Sequence, residues 1–495
     1  MTLRSYFNPS SIAVVGASND PGKAGYQIYR NLLDLGFEGP VWAVNPKLPE
    51  LFDRPCYPTL RDIPGPVELM VISVPAFGAP EIFEQAEARG DVRAAVVIAS
   101  GFSETKIPER VALERDMLRI AKRAGIRVMG PNCVGVMNTG NHLDTTFAAG
   151  IRQSRGGMSV ISQSGALGAS IMMFATHQPA PMGFAKWTHV GNQSDVDVLE
   201  VMRFYRDDPD TRVIAMYMEG INNAKEFLKV AREVTHDKPV IALKAGRTEI
   251  GSRAAASHTG AMAGSFRTYE SALRQSGIIL VKAPTELLTI SSAFDSMPLP
   301  RGDRVGVVTL GGGWGVITAD ECEERGLTLP PLPGDVFEKL DRMLPPFWSK
   351  GNPVDLVGQP SMELFLESMN SMVSSDAYDA VILLGMVGAG KFVLRIHESA
   401  ASMGYYSYDK LGKLQKLFAE RQADFLDNII ELMEKYDKPS YPVALISTPG
   451  DEMIHYRDGS RYKAIIYKTP EEAVFCLEKQ YEYYRYTSRR TTERP

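Results

Sequence analysis

The chain of 495 residues carries 54 Lys and Arg against 59 Asp and Glu, a formal charge of -5, with 44% hydrophobic and 23% charged residues. At roughly 150 residues per domain this length predicts about three domains, and the composition excludes disorder as the overall description. The charge balance leaves no footprint for nucleic acid or an anionic membrane. Four cysteines, at 56, 133, 322 and 476, form no close pair and no metal-ligand spacing, so no metal site is expected and the thiols read as reduced. MTLRSYFNPS at the start lacks the apolar run of a signal peptide, and no stretch is apolar for long enough to span a bilayer. A cytoplasmic location is the expectation.

In chain order, apolar β-branched runs predict strands at 12–16, 41–44, 69–74, 94–99 and 127–129, then at 158–161, 184–190, 213–218, 239–244 and 278–281. The runs IAVVGAS, MSVISQSGALG and VGVVTLGGGWG, beginning at 12, 158 and 305, share one pattern: a buried strand breaking into Gly and Ser before a helix. Their even spacing, and the Gly/Pro/Ser-rich joins at 148–157 and 296–303, predict three domains: 1–148, 149–298 and 299–495. The fold class expected is α/β, with three Rossmann-like or flavodoxin-like parallel-sheet domains in tandem. The third is interrupted at about 391–438 by charged helical sequence, which reads as an inserted helical pair.

In such sheets ligands bind beyond the carboxyl ends of the strands. In the first domain those positions hold Gly16-Ala17-Ser18, Asn45-Pro46-Lys47, Val74-Pro75, Ser100-Gly101-Phe102 and Gly130-Pro131-Asn132. The glycine turn suits a pyrophosphate at a helix N-terminus, although the G-x-G-x-x-G spacing of dinucleotide folds is missing. Lys47 stands where an NAD site places an acid, which favours an adenine nucleotide with an extra phosphate, NADP or coenzyme A; the alternative is a solvated loop lysine.

In the second domain Ser164-Gly165 opens an apolar helix after a strand and can hold an anion on backbone N–H groups, or simply cap the helix. His258, in GSRAAASHTGAMAG, sits among small residues that make a poor core, and a neutral imidazole there suits a nucleophile. Glu219, at the end of VIAMYM, can orient that imidazole or serve only as a helix-start acid. Lys244 and Arg247 add charge nearby. GMVGAGKF at 385–392 matches a phosphate loop up to its lysine, but Phe392 replaces the metal-binding hydroxyl, so it reads as a tight turn. The remaining histidines, His189 among them, read as structural or surface residues, and the stretch 352–356 as a turn.

The motifs VVGAS, VNPK, GPNCVG, SQSGALG, EG, SHTGAMAG and GNPVDL, in this order, resemble the α subunit of the NDP-forming acyl-CoA synthetases (ADP-forming acetate–CoA ligases), relatives of succinyl-CoA synthetase. The resemblance implies acyl-CoA and phosphate giving an acyl phosphate and CoA, His258 taking the phosphoryl group, and phosphohistidine passing it to ADP. It implies Glu219 holding the imidazole, Ser164-Gly165 cradling phosphate, and CoA along Gly16, Ser18, Lys47, Val74, Pro75, Ser100, Phe102 and Asn132. It also implies a separate ATP-grasp β subunit supplying the ADP and Mg²⁺ site, hence a hetero-oligomer. The alternatives are a CoA-responsive regulatory protein of the same fold and a Rossmann oxidoreductase, the latter disfavoured by Lys47 and the missing glycine.

Overall fold

The computed structural model describes residues 3–148, 154–177, 182–221, 223–253, 266–358, 361–444, 446–447 and 451–492. Described residues up to Ser291 form one compact unit and those from Ser292 onward a second.

The first unit holds two sheets. The first contains β1 (Ile12–Val15), β2 (Val41–Val44), β3 (Glu50–Leu51), β4 (Arg54–Tyr57), β5 (Leu69–Ile72), β6 (Ala94–Val97) and β7 (Arg127–Met129) in the order β3-β4-β2-β1-β5-β6-β7. All neighbours are parallel except the β3/β4 edge pair. Period-2 alternation explains why β1 is apolar throughout: Ile12 and Val14 feed one core layer while Ala13 and Val15 feed the opposite one. The helix Ala24–Asp34 covers the first face with Ile28, Tyr29 and Leu32. Ala79–Arg89 and Pro108–Ala124 cover the other with Phe83, Met117 and Ile120.

The second sheet contains β8 (Val136–Asn138), β9 (Leu143–Asp144), β10 (Arg155–Ser162), β11 (Phe184–His189), β12 (Val213–Met218), β13 (Val240–Lys244) and β14 (Ile279–Val281), in the order β14-β13-β12-β10-β11-β8-β9. It is parallel from β14 to β11, and β8 closes it antiparallel to β11. Residues 136–144, which precede the expected boundary at 148, therefore pair with the second sheet. Every residue of β11 is buried, including Lys186, whose ammonium donates to both Asp208 carboxylate oxygens at 2.7 and 2.8 Å. A charge so deeply placed persists only when paired in this way.

The second unit is built on β15 (Val305–Thr309), β16 (Val354–Asp355), β17 (Ala380–Leu384) and β18 (Ser440–Val443), parallel in the order β16-β15-β17-β18, with the hairpin β19 (Ile454–His455) and β20 (Ala464–Ile465) beside them. The expected helical pair is present as Ala389–Ser402 and Tyr408–Tyr436. The stretch 352–356, expected as a turn, carries β16 instead: Asn352 Oδ1 accepts the Val307 N–H at 3.0 Å and sets Val354 and Asp355 in register with β15.

Candidate active site

The carboxyl edge of the first sheet is shaped by glycine contacts. Gly16 adopts φ +88°, and its N–H donates to Val44 O at 2.9 Å, joining the ends of β1 and β2. A Cβ on Gly25 would lie 2.0 Å from the Gly16 carbonyl oxygen, so the helix Ala24–Asp34 can seat its N-terminal turn here only with glycine at 25. Gly25 thus supplies the close helix–strand packing that the third glycine gives in dinucleotide folds, further along the chain. Ser73, not singled out in the sequence, donates its hydroxyl to Val15 O and Gly16 O at 3.0 and 3.2 Å. Asn45 Nδ2 donates to Ala17 O at 2.7 Å, and its Oδ1 accepts the Lys47 N–H at 2.9 Å.

Gly16, Ser18, Lys47, Val74, Pro75 and Ser100 therefore follow the adjacent strands β2, β1, β5 and β6 and share one edge, with Lys47, Pro75 and Ser100 exposed. Ser18 is buried, and its Oγ accepts the Asp20 N–H. Phe102 is turned inward: its ring is 0% exposed, its N–H donates to the Glu104 carboxylate and its carbonyl accepts from Thr105. The ring packs in the core beneath the loop. Asn132, at φ +57° after β7, donates its N–H to Ala99 O and its side-chain amide to Asn192.

At the carboxyl edge of the second sheet, Ser164 caps the helix Gly165–Thr176, its Oγ accepting the Leu167 N–H at 3.4 Å. Ser162 holds the turn from behind, donating to Ser164 O at 2.7 Å and accepting the Ser164 N–H. The first N–H groups of a helix have no intrahelical acceptor, so the turn presents donors to an anion. Both functions of Ser164-Gly165 are compatible.

Gln163 was missed by sequence reasoning. Its Oε1 accepts the N–H groups of Glu219 (2.5 Å) and Gly220 (3.0 Å), while its Nε2 donates to Gly220 O (3.0 Å). The Ser164-Gly165 turn after β10 and the Glu219 turn after the neighbouring β12 are thus locked together. Burial, together with the Glu219 negative charge, pushes the Tyr217 phenol up to about 12. Lys244 is buried, with its ammonium donating to Glu219 O at 2.8 Å and Ala245 O at 2.6 Å. Burial pulls its ammonium down, against the Glu219 charge. Lys244 therefore props the Glu219 turn, with two of its three donors given to carbonyls. His258 lies outside the described residues.

In the second unit the GMVGAGKF stretch is a closed turn. The Gly388 N–H donates to Gln422 Oε1 at 3.0 Å, and Lys391 pairs with Asp451. Its cation and its turn amide serve the fold, as a structural turn requires. Among the described residues no cluster of three His, Cys, Asp or Glu side chains could hold a metal ion, and no helix is long and apolar enough to cross a membrane.

Three family profiles match in succession: a CoA binding domain over 10–139, a succinyl-CoA ligase like flavodoxin domain over 155–294, and a ligase-CoA domain over 305–386. The acetate–CoA ligase [ADP-forming] II subunit alpha of Pyrococcus furiosus is 41% identical over 382 residues, 77% of this chain and 82% of that subunit. The chain belongs to the ADP-forming acyl-CoA synthetases.

Within this synthetase family the chain has the α-subunit layout. It spans 49% of the acetate–CoA ligase [ADP-forming] of Methanocaldococcus jannaschii (40% identical over 72% of this chain). It spans 58% of the 4-hydroxybutyrate–CoA ligase [ADP-forming] of Nitrosopumilus maritimus (30% identical over 88%). Among solved structures, the dinucleotide forming acetyl-coenzyme A synthetase 1 of Ca. Korarchaeum cryptofilum, in complex with phosphate and ADP, superposes with a TM-score of 0.84 at 33% identity, covering 100% of this chain and 99% of that one.

Proposed function

We propose that the chain is the α subunit of an acid–CoA ligase that interconverts acyl-CoA, phosphate and ADP with free acid, CoA and ATP through a phosphorylated His258. The observation that supports this reading is the Gln163 lock, which ties the helix start at Gly165 to the Glu219-Gly220 turn at the end of the adjacent strand.

Phosphate on the Gly165 turn attacks the thioester carbonyl; the C–S bond breaks, CoA leaves with the electron pair, and acyl phosphate remains. An unprotonated ring nitrogen of His258 then attacks phosphorus. The bond from phosphorus to the acyl oxygen breaks, and the carboxylate departs with that electron pair. Glu219 accepts the N–H of the other ring nitrogen and balances the charge that builds on the ring. Backbone N–H groups at the helix start offset the charge on the phosphoryl oxygens. Coenzyme A lies along Gly16, Ser18, Lys47, Val74, Pro75 and Ser100, with Asn132 at the neighbouring strand end. An ATP-grasp β subunit accepts the phosphoryl group onto ADP, and the α chain works as part of a hetero-oligomer.

The test is phosphate-dependent release of CoA thiol from a panel of acyl-CoAs, followed with a thiol reagent. Wild-type chain releases thiol only when phosphate is present, and Glu219→Gln transfers phosphoryl to protein about 10²–10⁴-fold more slowly. Phosphate-independent release, or none with any acyl-CoA even with a β subunit added, refutes the reading and leaves CoA binding alone.

A further inference from the structure

His189 ends β11 with its side chain buried, 6% exposed, behind the anion-facing turn. Its Nδ1 accepts the Val134 N–H at 2.9 Å. An amide can donate only to an unprotonated nitrogen, so the ring proton resides on Nε2. The bond from Val134 ties the end of β11 to the Gly130–Gly135 loop, which carries Asn132 of the proposed CoA edge. A Cβ on Gly165 would meet His189 Cε1 at 3.1 Å and Val134 Cγ2 at 3.0 Å, so the turn rests directly on this pair. The main chain repeats the link: the His189 N–H donates to Gly135 O, and the Val190 N–H to Ser162 O, both at 3.2 Å.

We propose that His189 is a positioning residue that fixes the phosphate turn against the CoA-side loop. This rests on the reading of Ser164-Gly165 as the phosphate cradle. Such a bridge acts on phosphate far more than on acyl-CoA, because the turn has lost one of its supports while the strand ends of the first sheet keep theirs.

The test compares wild type, His189→Leu, His189→Asn and His189→Gln. Asn keeps an acceptor where Nδ1 stood; Gln keeps a polar side chain of similar bulk against Gly165. The first readout is the concentration of inorganic phosphate giving half-maximal protein phosphorylation at saturating acyl-CoA. It rises about tenfold in His189→Leu, with half-saturation by acyl-CoA within about twofold of wild type, and Asn or Gln recovers part of the loss. The second is amide hydrogen exchange, which needs no turnover. It rises at Val134–Val136 and at Gln163–Leu167 in His189→Leu, and Asn restores the first segment only. An unchanged phosphate dependence in a folded His189→Leu, or exchange rising evenly over the whole unit, overturns the proposal. A wild-type chain that is never phosphorylated refutes the functional reading instead, and the exchange result still decides whether His189 clamps both segments.

Discussion

A glutamine carries more of the site than its place in the sequence suggests. Gln163 satisfies three backbone groups of the Glu219-Gly220 turn, so Gln163→Leu leaves half-buried polar groups unpaired and frees that turn from the helix start at Gly165. The expected outcome is a ~10–100-fold slower protein phosphorylation, as for lost orienting partners elsewhere, with CoA affinity by calorimetry unchanged. His189 makes a pH prediction of its own. Burial pulls its imidazole from 6.5 down to about 4. The unfolded chain takes up a proton there as pH falls below 6.5, whereas the folded chain stays neutral until about 4. Stability is therefore full above 6.5 and is lost progressively down to about 4, by up to about 3 kcal/mol. Burial moves the ring, with no charged neighbour contributing; Cys133, in the loop that the ring contacts, is a buried neutral thiol. Urea denaturation of wild type and His189→Asn across that range checks this: the mutant's stability changes less with pH.

At the scale of elements, the turn after β1 depends on how closely a helix can approach it. Gly25→Ala places a methyl 2.0 Å from the Gly16 carbonyl oxygen, a contact that backbone must move to relieve. The expected cost is about 3 kcal/mol or more, with CoA affinity reduced and phosphate binding to the second sheet retained, measured by thermal unfolding and calorimetry. Gly16 was legible as a turn residue because it follows IAVV directly; Gly25 was not, because its role comes from a contact nine residues on. The same distinction explains the strands. β2, β7 and β12 lie where their apolar runs placed them, since strands buried on both faces have continuous apolar sequence. β3, β8 and β9 are two or three residues long, and no local periodicity announces them. β8 is held by pairing with β11, far along the chain, and by the Asn138 side chain donating to Phe7 O. Site residues follow suit. Glu219 and Ser164-Gly165 were readable from strand ends, whereas Gln163, Ser73 and His189 act through partners distant in sequence.

For the whole molecule, three strand-to-glycine openings recur in order, and the three family profiles fall on them. The chain spans most of a separate α subunit but about half of its longer relatives. The most direct measurement is intact-mass and peptide mapping of the chain after incubation with phosphate and acyl-CoA, beside His258→Ala. One acid-labile phosphoryl group on the peptide holding His258, absent from the mutant and discharged by ADP once a β subunit is added, is the predicted result. A phosphoryl group found elsewhere, or one that persists in His258→Ala, would contradict it.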